Sequence, residues 1–110
     1  MTEVLKQITE KLSDKKAEDI KIIDISEMSI MADYFIIASG NNFNQLHSMA
    51  DYLEDELLKM GYKPNHVEGY NNANWILMDY SDFVIHLFDK ESRSFYDLER
   101  IWKGGNIVNI

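Results

Sequence analysis

The sequence predicts an α/β fold: a single domain, residues 1–110, with a mixed sheet of about five strands and flanking helices. Three observations carry this prediction. Stretches with apolar residues at helical spacing alternate with short runs rich in β-branched and aromatic residues. A long helical stretch lies between two such runs, which asks for a crossover and favours parallel strands. Two later runs are separated by a tight turn and read as an antiparallel hairpin.

The first helix is placed at residues 3–15, where Val4, Leu5, Ile8 and Leu12 recur at helical spacing between charges. DIKIIDI (19–25) reads as a strand, SEMSIM (26–31) as a connection, and DYFIIAS (33–39) as a strand buried on both faces. A helix follows over 43–60, capped by Asn41 or Asn42. Its buried stripe is Leu46, Ala50, Leu53 and Leu57, Asp55 and Lys59 stand in the favourable order for pairing, and Gly61 stops it. Lys63–Val67 is a short extended segment. NWILMD (74–79) and DFVIHLF (82–88) form the hairpin around Tyr80-Ser81. Ser92 can cap a last helix over 93–103, in which Phe95, Leu98 and Trp102 share a face before Gly104-Gly105. The tail NIVNI is too short to assign.

Composition narrows the function classes. The 110 residues are 45% hydrophobic, which suits a packed core and not a disordered chain. With no cysteine, disulfides, thiolate catalysis and cysteine-ligated metals are excluded. The N-terminal segment alternates charge with aliphatics instead of forming an apolar leader, and no run approaches the ~20 apolar residues of a membrane span. The expected location is therefore cytoplasmic, with no membrane partner. A formal net charge of −8 disfavours a phosphate-backbone partner, so no direct sequence-specific nucleic-acid partner is expected; it suits a basic protein partner, although solubility alone also explains it.

The candidate chemistry concentrates in HVEGYNNANWILMDYSDFVIHLF (66–88). Asp79 and Asp82 flank the hairpin turn; three residues apart, they suit either a divalent metal or, more plainly, a turn. His86 alternates with Val84 and Phe88 and is read first as a satisfied, partly buried imidazole, then as a base. His47 and His66 lack partners in sequence, and no triplet shows metal-ligand spacing, so neither a metal nor any other cofactor is expected. Ser39 before the 43–60 helix lacks a glycine-rich phosphate signature, and helix capping explains the asparagines beside it. Along 74–79, Trp75, Leu77 and Asp79 share one face, while Ile76 and Met78 share the other. Both faces are largely apolar. The strand is either buried on both sides, or one face meets a partner. An acidic rim of Glu68, Asp79 and Asp82 around Trp75 and Tyr80 suits a basic protein surface.

ADYFIIASG (32–40), HVEGY (66–70), NWILMDYSDFVIHLF (74–88) and RSFYDLERIW (93–102) together resemble the ribosomal silencing factor family, also called Iojap-like, from about Ala17 to Trp102. The resemblance implies a nucleotidyltransferase-like topology without catalysis, and a homodimer. It implies binding to the large ribosomal subunit through ribosomal protein fourteen, blocking small-subunit joining and repressing translation when nutrients are limiting. It places Trp75 at the centre of the ribosome-facing block, with Met78 and Tyr80 as apolar neighbours and Glu68, Asp79 and Asp82 as polar contacts. Because Trp75 and Met78 differ in strand parity, either the strand end twists or one of them is core. Arg93, Phe95, Tyr96 and Glu99 match the last block, with core packing as their expected role. The alternative is a metal-dependent nucleotide-handling enzyme using Asp79, Asp82 and His86.

Overall fold

The computed structural model describes residues 1–109. Helix α1 (Thr2–Asp14) leads into strands β1 (Glu18–Asp24) and β2 (Tyr34–Gly40), then α2 (Phe43–Lys59). Strands β3 (His66–Glu68), β4 (Trp75–Asp79) and β5 (Phe83–Asp89) follow, then α3 (Lys90–Tyr96), α4 (Leu98–Ile101) and β6 (Asn106–Ile107). Among the described residues the sheet has six strands in the order β3-β4-β5-β2-β1-β6, so the tail supplies a sixth strand beyond the expected five, paired antiparallel to β1.

The crossover prediction holds in direction and fails in adjacency. β2 and β3 run the same way, but β4 and β5 lie between them, and the parallel neighbours are β2 and β5. The central strands are the most completely buried, with Ile36, Ile37, Ala38, Ile85 and Leu87 all at 0% exposure. Edge strands β3 and β6 have only three and two residues, which limits the unpaired edge on offer.

Both long helices pack on one face. Val4, Leu5, Ile8 and Leu12 of α1 and Leu46, Met49, Ala50, Leu53 and Leu57 of α2 meet Ile22, Ile36, Ile76, Met78, Ile85 and Leu87 of the sheet. Asn42 caps α2, accepting from the Gln45 backbone N–H at 2.8 Å. Gly61, at φ 90°, ends it: its N–H reaches the Leu58 carbonyl at 3.0 Å, and that of Tyr62 the Leu57 carbonyl at 2.9 Å. Lys59 pairs with Glu56 at 2.8 Å rather than with Asp55, and Glu56 also lies 3.4 Å from Lys11, tying the two helices together.

The opposite face receives the C-terminal segment, and there the single helix expected over 93–103 is two. Asp97 sits at φ 48° in the left-handed region and breaks it. The cap is Asp89, one turn earlier than expected; Ser92 donates its backbone N–H to Asp89 at 2.7 Å. The break turns Phe95 outward, 79% exposed, while Leu98 and Trp102 pack with Ile23, Ile25, Ile37 and Phe88.

Candidate docking face

The two outer faces of β4 and β5 differ in cover. Residues of β4 alternate between half-buried (Trp75, Leu77, Asp79) and fully buried (Ile76, Met78). Cross-strand register carries this outward. His66 faces Asp79, which faces Val84, which faces Phe35; Glu68 faces Leu77, which faces His86; Trp75 faces Phe88. These residues line the face away from α1 and α2. Trp75, Leu77, Val84 and Phe35 remain partly open between the Tyr96 ring, 4.6 Å from Trp75, and the Trp102 ring, 5.2 Å from Phe35.

The structure resolves the parity conflict: Met78 is the core residue. It is 0% exposed on the helix-covered face, so it cannot meet a partner beside Trp75. Tyr80 is also withdrawn. It is 7% exposed, stacks on Phe83 at 4.9 Å between ring centroids, and leaves its hydroxyl without a partner among the described residues. Burial pushes its phenol well above the ordinary value. Both corrections have one cause: alternation along the strand puts Met78 and Tyr80 on the side of Ile76, the face that α1 and α2 cover.

The acids stay at the surface. Glu68 is exposed on edge strand β3, and His66 lies between it at 2.9 Å and Asp79 at 3.7 Å. Asp79 accepts from the backbone N–H of Ser81 at 2.8 Å, and Ser81 adopts φ 71°, so the turn reading of DYSD describes what the carboxylate does. Asp82 is exposed, and its carbonyl accepts from the Asp33 backbone N–H at 2.9 Å, joining the hairpin turn to the start of β2.

His86 is 3% exposed. Its Nδ1 accepts from the Trp75 indole N–H at 3.0 Å, the Phe35 ring meets it edge-on at 4.5 Å, and its Nε2 has no partner among the described residues. Burial holds its pKa down at about 4, so the ring is neutral. Of the enzyme-type set, therefore, Asp79 and His86 are engaged with groups of their own fold. Among the described residues, no three His, Asp or Glu side chains gather in a way that could hold a metal ion.

The last block serves another purpose than the expected core packing. Arg93 is buried, but through polar bonds: it donates to Ser39 Oγ at 2.8 Å and to Glu99 at 3.2 Å, and lies 3.5 Å from Asp19. It pins α3 and α4 to the sheet, and so holds Tyr96 against Trp75. Phe95 and Tyr96 are exposed. Sequence reasoning missed the openness of Phe35 and Val84, whose signal lies in the β2–β5 register rather than in either strand alone.

The loop entering β4 is tightly built. A Cβ on Gly69, at φ 76°, would fall 2.1 Å from the Trp75 carbonyl oxygen, so only glycine fits there. Tyr70 stacks on His47 with ring centroids 4.1 Å apart and donates to Asp51 at 2.9 Å, strapping the loop to α2.

Comparison with known proteins places this architecture. A family described as ribosomal silencing factor during starvation matches residues 1–109. A Bacillus subtilis protein named ribosomal silencing factor RsfS is 38% identical over 107 residues, covering 97% of this chain and 91% of its own length. A mouse protein named mitochondrial assembly of ribosomal large subunit protein 1 is 35% identical over 94 residues, covering 83% of this chain and 41% of its own. A crystal structure from Bacillus halodurans superposes with a TM-score of 0.88 at 32% identity, each chain covered in full at 100%.

Proposed function

Because the chain belongs to the ribosomal silencing factor family, we propose that it binds the large ribosomal subunit through ribosomal protein fourteen and blocks joining of the small subunit when nutrients are limiting. The name of the mouse relative also points to the large subunit. The observation that carries the reading is the open strip of Trp75, Leu77, Val84 and Phe35 on the face away from the long helices, bordered by Glu68, Asp79 and Asp82. An apolar centre with charged surroundings is the usual layout of a protein interface. With a formal net charge of −8, the protein attracts a basic partner and speeds encounter.

In this reading Trp75 and Leu77 enter an apolar depression on the partner, and Glu68, Asp79 and Asp82 meet basic side chains at the rim. Met78 and Tyr80 support the strand from beneath. No bond is made or broken: the bound protein fills space that the small subunit needs. The setting is the cytoplasm, and the free protein is a homodimer.

Sucrose-gradient sedimentation of purified subunits tests this. The protein is expected to travel with the large subunit and to lower the joined-ribosome peak. Protein left at the top of the gradient, with an unchanged joined peak, would rule the function out for this chain.

A further inference from the structure

We propose that His86 is a positioning residue for Trp75: its Nδ1 fixes the indole in one orientation on the open face. The inference rests on the docking role of Trp75 argued above.

The register makes the pair. Trp75 lies opposite Phe88 and His86 opposite Leu77, so the two are diagonal neighbours on the same face. An indole nitrogen only donates, so the 3.0 Å contact requires a bare Nδ1 and puts the imidazole proton on Nε2. That Nε2 proton is buried and has no acceptor among the described residues. A leucine would fill this apolar place without stranding a donor, and a stranded donor is costly. Packing therefore does not explain a histidine here, whereas its bond to Trp75 does.

The surroundings hold both rings. The imidazole meets the Phe35 ring at 4.5 Å and the Phe88 ring at 6.3 Å, and the indole stacks on Phe88 at 5.0 Å. Stacking alone tolerates an indole flipped end for end about its side-chain torsion; the hydrogen bond selects one of the two. It also consumes the indole N–H. The partner then meets an apolar ring edge and needs no acceptor at that point. The burial that keeps the imidazole neutral keeps its lone pair available throughout the neutral range.

The test combines spectra with binding. In the wild type, long-range proton–nitrogen spectra at neutral pH should show the Nε2–H tautomer, with a through-hydrogen-bond coupling between the indole and imidazole nitrogens. The opposite tautomer, or no coupling, overturns the proposal without any variant. In His86→Leu, indole exchange with solvent should speed up about tenfold, and affinity for purified large subunits should fall about fivefold, the scale of one hydrogen bond. His86→Asn, whose Oδ1 sits near the Nδ1 position, should restore both. An unchanged indole in His86→Leu, or a freed indole with unchanged affinity, overturns the positioning role. Trp75→Glu separates the two layers. If it binds large subunits normally, the docking reading fails and this inference with it, whatever the indole spectrum shows.

Discussion

The two faces of the sheet are built from the same strands and are covered differently. On one, Ile76, Met78, Ile85 and Leu87 are sealed beneath α1 and α2. On the other, one residue away along each strand, Trp75, Leu77 and Val84 stay partly open. Equal hydrophobicity does not mean equal use: what distinguishes the faces is the cover that the rest of the chain provides. Two long helices close the first face. The second receives the shorter α3 and α4, interrupted at Asp97, which cover His86 and Phe88 but leave Trp75, Leu77 and Val84 partly exposed.

This contrast can be broken at either face, and the largest effect belongs to the sealed one. Met78→Ala leaves a cavity beneath the helices and should cost about 3 kcal/mol of unfolding free energy in urea titration, while the folded fraction still binds large subunits normally. Trp75→Glu should do the reverse. Large-subunit affinity falls about a hundredfold, as for a central interface aromatic, and circular dichroism stays native. If Met78→Ala weakens binding by the folded protein, the faces are not separable in this way.

A smaller effect comes from His86, the buried base of the open face. Burial holds its pKa at about 4 in the fold against the ordinary 6.5 of a free imidazole. As pH falls, the unfolded chain takes the proton first, so this contribution is complete above 6.5 and lost progressively between 6.5 and 4. Between pH 6.5 and 5 that amounts to about 2 kcal/mol. Stability measured across this range should fall more steeply for the wild type than for His86→Leu; parallel curves would contradict the neutral, buried imidazole. The smallest effect is Tyr80→Phe. It removes a buried hydroxyl with no acceptor and should raise stability by up to about 1 kcal/mol without altering binding. A loss of affinity would return Tyr80 to the docking face.

Strand parity made the faces of β4 legible in the sequence: Trp75, Leu77 and Asp79 were separable from Ile76 and Met78 on period two alone. Which face would be sealed was not, because that depends on where α1 and α2 pack, a tertiary fact. The apolar stripes of both long helices could be read for the same local reason, and Gly61 marked the end of α2. The break at Asp97 could not, since Phe95, Leu98 and Trp102 keep helical spacing across it, and an aspartate in the left-handed region carries no strong signal. β6 escaped because two residues are too few for a pattern. The face of His86 was legible from its alternation with Val84 and Phe88, but a satisfied, partly buried ring was expected, and the imidazole is 3% exposed with Nε2 unpaired among the described residues; its bond to Trp75 needed the register between two strands.

Oxidative footprinting of side chains, free and bound to purified large subunits, tests the central claim most directly. If the open face docks, Trp75 and Phe35 become protected on binding, while Phe43 and Met60, exposed at 49% and 37% at the two ends of α2, react as before. Protection of Phe43 and Met60 with Trp75 and Phe35 unchanged would place the partner on the helical side and contradict the account.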